Sequence, residues 1–296
     1  MADAIAVKGV RAAQAAPPPP APRRLRNGFA PAVPGLAFLL LCFMLPVLAL
    51  LLRSLTQPQW GLQNYAALLA TSTYANVLFN TFAVAGLVTG ISALLGLPLA
   101  WFLAVAPRFW SQLVFGIVIL SMWTNLLART YAWMVLLQDT GIINNFLIWT
   151  GIIQNPLPLF GTMAGVVIGM VYIMLPFMVL SLRGPLAALD ASLFQAASLC
   201  GASRVQAFTQ VFLPLLAPGL AAGGLIIFVM SLGYYITPSL LGGAQDMMLA
   251  ELIAQLVQTL LNWGLAGAAS FLLLVLTLSL YAVQIRYFSP RRGKEG

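Results

Sequence analysis

The sequence contains no histidine, and only 7% of its 296 residues are charged. The missing histidine excludes zinc sites of the HExxH type, serine or cysteine catalysis with a histidine base, and histidine-ligated haem. A Gly-Lys pair occurs once, at 293–294, without the upstream glycine of a phosphate-binding loop. We therefore expect no enzymatic activity in this chain, and any ATP and Mg²⁺ that it depends on would be bound by a partner.

Acidic residues are also scarce. Outside the two ends of the chain they are Asp139, Asp190, Asp246 and Glu251, and none has a second carboxylate beside it in the middle of an apolar run. Proton-coupled carriers usually place such acids inside the membrane, so a stand-alone secondary transporter for a small solute is the alternative function and not the favoured one. The two cysteines fall in an apolar run and in a loop, which predicts no disulfide.

What the sequence does contain is hydrophobic residues, at 61% of the total. They form six runs that each reach the roughly 20 residues of a bilayer-crossing helix. The runs are 34–55, 76–106, 111–137, 161–182, 217–241 and 264–287. The pattern predicts an all-α, polytopic membrane protein with six transmembrane helices. Residues 1–30, with four consecutive prolines, are predicted to be a disordered tail, 31–288 the membrane domain and 289–296 a second tail.

Basic residues indicate the orientation of these helices. They are concentrated in the two tails and in the second-to-third and fourth-to-fifth connections, and Arg53 and Arg129 are the exceptions. Because basic connections stay on the cytoplasmic side, both termini are predicted to be cytoplasmic. The charges are scattered over separate loops, which favours contact with membrane lipid and disfavours nucleic-acid binding, since the latter needs one contiguous basic face.

The fourth-to-fifth connection, 183–216, has an unusual composition. Small residues lead to Gly201, and a second helix is predicted from Ser203 to Phe212, ended by Pro214. Two amphipathic helices lying on the bilayer would be one explanation. Such helices usually carry a polar face rich in Lys and Arg, whereas this segment presents alanine and glycine, which favours close docking of another protein.

Residues of this connection resemble the EAA signature of ABC-importer permeases. The matching residues are Gln195, Ala196, Ala197, Gly201, Leu213 and Pro214. Gln195 stands where the family usually has glutamate, so a charge-assisted contact would become a neutral one. The resemblance implies the type I ABC-importer permease fold, in which this loop forms the coupling helix that docks into a cleft of the ATPase.

Four further blocks resemble the spermidine/putrescine branch of these permeases, which is similar to systems for polyamines, opines or other small amines. The blocks are 60–82, 126–147, 166–182 and 233–243. Residues 129–133 and 141–144 resemble the B-type subunit. The resemblance implies a subunit of a binding-protein-dependent importer in the bacterial cytoplasmic (inner) membrane. Its expected partners are a second permease in a heterodimer, two copies of an ABC ATPase that bind ATP and Mg²⁺, and a periplasmic solute-binding protein.

The resemblance also implies a gate near the middle of the third and fifth spans. The candidate pathway residues are Trp123, Asn125, Arg129, Tyr131, Tyr234 and Tyr235. A structural alternative for Arg129 is a snorkelling side chain or a pair with Asp139. Gly233 and Pro238 predict an interrupted helix in the fifth span. The tyrosines there would offer aromatic faces to a cationic amine or belong to an interfacial aromatic belt.

Three simpler features are interpreted as helix packing. Methionines in the spans predict core contacts rather than a metal pathway, glycines in the second span predict close helix approach, and one Asn-Thr pair predicts hydrogen bonds between helices. The methionines are Met170, Met174, Met178 and Met230. The glycines are Gly86, Gly90 and Gly96, and the pair is Asn80-Thr81.

Overall fold

The structure is a computed structural model that describes residues 33–188, 192 and 199–288. The predicted tails 1–30 and 289–296, and the motif residues Gln195, Ala196 and Ala197, lie outside the described residues. Internal contacts divide the chain into two units, Met1–Val47 and Leu48–Gly296. In the described part of the first unit the chain is helical, and its apolar side chains are exposed.

Every regular element of the described residues is helical, as predicted. The helices are α1 Val33–Thr56, α2 Gln63–Ala70, α3 Ser72–Val105, α4 Arg108–Trp123, α5 Leu126–Leu137, α6 Ile142–Trp149, α7 Met163–Ala187, α8 Arg204–Gln206, α9 Leu213–Leu232, α10 Ile236–Leu241, α11 Leu249–Gln258 and α12 Trp263–Phe288. A π-helical segment, Ala207–Phe212, joins α8 to α9.

Five helices of the described residues are long and apolar enough to cross a membrane: α1, α3, α7, α12, and α9 together with its π-helical lead. A sixth candidate is the segment from α4 through α6, but it is bent by 103° between Trp123 and Leu126. The span predicted over 111–137 therefore contains a sharp bend. The chain is a polytopic membrane protein in which one candidate span is broken.

The core of the second unit is formed by α3, α7 and α9. Met170, Met174 and Met178 of α7 are fully buried in it, which confirms the packing role predicted for them. Close approach depends on glycine: a Cβ on Gly96 would lie 2.6 Å from the Met178 Cγ, and a Cβ on Gly223 would collide with the Ser181 side chain. The same prediction is wrong for Gly86 and Gly90 among the described residues, because a Cβ on either would meet none of their atoms within 4 Å.

We expect Gly223→Leu to destabilise the packing of α9 against α7, since the added side chain has no space beside Ser181 and the Met178 sulfur. Overpacking of this kind costs about 1–3 kcal/mol. Gly86→Leu is the matched control, because it makes the same change at a helix position where the added side chain meets no described neighbour at its Cβ. Thermal unfolding of the purified chain in detergent should show a lower midpoint for Gly223→Leu alone. Equal midpoints for both variants would contradict the packing of α9 on α7.

A second core joins α11 and α12 to α2 and α3, with Leu68, Val77, Leu252 and Leu256 buried in it. The Asn80 amide donates to the Gln245 carbonyl at 2.7 Å, and the Leu249 N–H donates to the Thr81 hydroxyl at 2.8 Å. These bonds confirm that the Asn80-Thr81 pair links helices, and they fix the start of α11 against α3.

Glu251 lies in the first turn of α11, and it is half-buried. Burial raises the pKa of its carboxyl above the ordinary value of 4.5, and the Met248 backbone N–H that it accepts opposes this shift. A raised folded-state pKa stabilises the fold at low pH, and that contribution is lost as pH rises through the folded-state pKa. We therefore expect Glu251→Gln, which keeps the acceptor, to unfold at a higher temperature than wild type at neutral pH. The difference should vanish below pH 4.5, and a constant difference across this range would contradict it.

The expectation that Pro214 ends the helix of the fourth-to-fifth connection is also wrong. Helical structure continues from Arg204 through Pro214 and Pro218 to Leu232. Proline lacks an N–H and its ring clashes with the carbonyl four residues earlier. The π-helical turn widens the backbone directly before Pro214, and the Leu213 N–H donates to the Phe208 carbonyl five residues back. The wider turn accommodates the proline without a break.

Candidate translocation site and coupling segment

The bend between α4 and α5 is stabilised on its α5 side by Asn125. The Asn125 side-chain oxygen accepts the backbone N–H groups of Leu127 at 2.9 Å and Ala128 at 3.3 Å. These groups have no partner inside the helix because they belong to its first turn. An apolar run therefore contains a helix start, and Asn125, predicted as a pathway residue, caps it.

Arg129 stabilises the other side of the bend. Its Nη1 donates to the Ser121 carbonyl at 2.9 Å, eight residues back and at the end of α4 where carbonyls lose their helical partners. Its Nε is buried and has no hydrogen-bond partner among the described residues. Within the same residues no ion pair joins Arg129 to Asp139. The side chain thus reaches back across the bend, with its buried Nε–H available to another group.

The fifth span is interrupted, as predicted. Helix α9 ends at Leu232 and α10 begins at Ile236, so Gly233, Tyr234 and Tyr235 form a non-helical segment. Directly before it, the fully buried Ser231 hydroxyl has no hydrogen-bond partner among the described residues. Irregular backbone at membrane depth is tolerated only where protein or water satisfies it, so this segment is either buried in protein or borders water.

The two breaks face each other through α5 and α10. The Thr130 hydroxyl of α5 lies 3.4 Å from the Thr237 hydroxyl of α10, and both side chains are buried. The Tyr234 hydroxyl lies near the Thr237 side chain and the Arg129 guanidinium. We call Arg129, Thr130, Tyr234 and Thr237 the break cluster. It is a polar group between two discontinuous helices.

The structure brings together only part of the predicted pathway set. Arg129 and Tyr234 belong to the break cluster, and Asn125 caps the adjacent bend. Trp123 and Tyr131 are 85% and 52% exposed, and no described contact places either in the cluster. Tyr235 lines a different cavity, of about 480 Å³, with residues of α11 and α12 that include Ile253 and Ser270. The two neighbouring tyrosines therefore lie in different surroundings.

Sequence reasoning missed two contributors to this region, the Ser121 carbonyl and the Ser231 hydroxyl. A backbone carbonyl carries no sequence signal, since any residue supplies one. A serine two residues before Gly233 in an apolar run was a weak signal for a polar space. The Ser231 hydroxyl matters because it is buried without a hydrogen-bond partner among the described residues, and only the packed structure shows this.

After the undescribed residues 193–198 of the fourth-to-fifth connection, the segment 199–212 begins with a turn at Gly201. Its backbone has a φ of +79°, a conformation that favours glycine, and a Cβ there would meet nothing within 4 Å. Ser203 and Gln206 form a capping box: the Ser203 N–H donates to the Gln206 side-chain oxygen at 2.8 Å, and the Gln206 N–H donates to the Ser203 hydroxyl at 3.3 Å. This pair starts the helical run at Arg204.

Phe212 anchors the end of this segment to the core. It is fully buried, and its ring lies 4.5 Å from the Trp101 ring of α3 and 5.1 Å from the Phe208 ring. Earlier in the segment Leu199 and Val205 are 89% and 72% exposed. The segment is therefore fixed to the membrane domain at one end and presents apolar side chains at the other. Leu213 and Pro214 continue it into α9.

Comparison with known proteins identifies the family. The family model described as binding-protein-dependent transport system inner membrane component matches residues 96–294. The chain belongs to this family. It is 36% identical over 214 residues to the spermidine/putrescine transport system permease protein PotB of Escherichia coli (strain K12), with 72% of this chain and 78% of the relative covered. The same protein of Haemophilus influenzae is 36% identical over 226 residues, covering 76% and 78%.

Solved structures give the same fold. A bacterial alginate ABC transporter in complex with a periplasmic protein superposes with a TM-score of 0.70 at 18% identity, covering 88% of this chain and 94% of that chain. The inward-facing MetNI methionine ABC transporter superposes with a TM-score of 0.55 at 17% identity, covering 73% of this chain and 94% of that chain. By its family and relatives, the chain is an inner-membrane permease component of a binding-protein-dependent importer, and thus a transport subunit.

Proposed function

We propose that this chain forms one half of the translocation path of an ABC importer for a polyamine or another small amine. The observation that carries the proposal is the break cluster, in which two interrupted helices meet around buried polar groups. The relatives named for spermidine and putrescine support the substrate class. The distribution of basic residues supports six spans, with α4 to α6 as one broken span and both termini cytoplasmic.

The break cluster suits passage of an amine rather than tight binding. The hydroxyl oxygens accept hydrogen bonds from an ammonium group, and the Tyr234 ring attracts its charge. The charged Arg129 guanidinium repels it. A transport path must bind its solute weakly enough to release it. Affinity and most of the selectivity would then belong to a separate periplasmic binding protein, which delivers the amine to the path.

Coupling to ATP hydrolysis is assigned to the fourth-to-fifth connection. Gln195, Ala196, Ala197 and Gly201 would enter the ATPase cleft, and Leu213-Pro214 would transmit the movement to α9. The anchoring of Phe212 on Trp101 supports this assignment, because it ties the segment to the core of the membrane domain. ATP and Mg²⁺ would be bound by two copies of the partner ATPase, and a second, different permease would complete the path.

Native mass spectrometry of the chain purified gently from its host membrane tests these partners. We expect a complex of this chain, one different permease and two ATPase copies. A purified chain that carries no ATPase would contradict the importer assembly. A homodimer with two ATPases would contradict the heterodimer alone.

A further inference from the structure

A cavity of about 360 Å³ lies where three helices end, away from the break cluster. Its walls are the last turns of α3, the first turns of α4 and the last turns of α7. Because α3 and α7 are long enough to cross the membrane and the cavity lies at their last turns, we place it at the level of the lipid headgroups. Its lining includes Ala104, Ser111, Gln112, Phe115 and Arg183, and no acidic residue.

Arg183 is held in place in this cavity by an aromatic ring. Its guanidinium carbon lies 3.9 Å from the centroid of the Phe115 ring, which is close for a cation–π contact. Stacking occupies a face of the guanidinium, and its N–H donors point outward in the plane. No carboxylate of the described residues forms an ion pair with Arg183. The side chain is therefore a fixed cation with donors available to an anion.

The cavity lining also includes apolar side chains, those of Leu103, Val179 and Leu186. A ligand that fits both parts carries a negative charge at its head and a hydrocarbon chain next to it. We propose that this cavity binds the phosphodiester headgroup of an anionic phospholipid.

The site is independent of which solute the permease carries. It lies on α7, which leads into the connection assigned to ATPase coupling, and on α4, which leads into the bend. Bound lipid would hold the ends of these two helices together. Anionic lipid is thus expected to affect the membrane domain on the side where the coupling segment begins.

Native mass spectrometry tests the proposal with the detergent-purified full complex, titrated with phosphatidylglycerol or with phosphatidylcholine of the same acyl chains. We expect retained phosphatidylglycerol in excess of phosphatidylcholine. Arg183→Gln should weaken phosphatidylglycerol binding about fivefold, the effect of one basic side chain at a membrane surface. Ala104→Phe should reduce it as well, because it fills the cavity while the charge remains.

Arg53→Gln is the matched control. Its guanidinium carbon also lies over an aromatic ring, 5.2 Å from the centroid of Trp263, but it does not line the cavity. We expect wild-type lipid retention from this variant. Equal binding of the two lipids, or equal phosphatidylglycerol retention by Arg183→Gln and Arg53→Gln, would overturn the proposal. So would inorganic phosphate binding that depends on Arg183 without any lipid preference. Thermal unfolding of each variant separates lost binding from lost folding.

Discussion

Gly201→Glu is expected to abolish substrate-stimulated ATP hydrolysis and uptake while the chain still inserts into the membrane. Gly201 is exposed, with open space where a side chain would stand. A close-fitting docking surface there would not admit a long, charged side chain, and an unpaired buried charge opposes docking strongly. Because no atom of the described residues lies within 4 Å of where the new Cβ would stand, the loss should come from the interface with the ATPase.

The positive φ of Gly201 requires a control, since any side chain there costs about 1–2 kcal/mol of backbone strain. Asparagine tolerates this conformation better than most residues and is small and neutral. We expect Gly201→Asn to keep much of the ATPase stimulation that Gly201→Glu loses. The measurement is ATP hydrolysis by the reconstituted complex with loaded binding protein, at equal amounts of assembled complex. Normal stimulation in Gly201→Glu would show that this segment is not the coupling surface.

Tyr234→Leu is expected to reduce uptake about five- to thirty-fold, the equivalent of roughly 1–2 kcal/mol of cation–π attraction. Leucine keeps apolar bulk in the break cluster but removes the aromatic face that an amine would meet. Tyr234→Phe keeps that face and loses only the hydroxyl contact with Thr237, so it should remain close to wild type. Uptake into vesicles with saturating binding protein, at matched permease abundance, measures the difference.

Tyr235 is the control for that comparison. It is the next residue in the same non-helical segment, yet it lines the separate cavity beside α11 and α12. We expect Tyr235→Leu to affect uptake much less than Tyr234→Leu. The account of the break cluster fails if the two leucine variants transport equally well, or if Tyr234→Phe is as impaired as Tyr234→Leu.

The broad architecture of this chain follows from its sequence because apolar runs of membrane length can only be helical. The interruption at Gly233 was also predictable, since glycine and proline bracket two tyrosines in an apolar run. The bend at Asn125 was not. A single asparagine in a span is equally compatible with a side chain that bonds to a neighbouring helix, and its capping role depends on the backbone turning at that point.

Two other features depend on tertiary or backbone geometry that local rules do not contain. Pro214 ordinarily ends a helix, and it fails to do so here because the preceding turn is π-helical. The stacking of Arg183 on Phe115 joins residues 68 positions apart in sequence. Among the predicted pathway residues, only the packed structure separates Arg129 and Tyr234, which lie near each other, from the exposed Trp123 and Tyr131.

The most direct test of the central claim is solute uptake by proteoliposomes that contain this chain, its partner permease and the ATPase. Candidate amines are supplied outside with their binding protein, ATP is enclosed inside, and ion gradients are collapsed with ionophores. We predict uptake of an amine that requires both ATP and the binding protein and that is lost with Gly201→Glu. Uptake that persists without ATP and follows an imposed ion gradient would contradict the account and identify a secondary transporter.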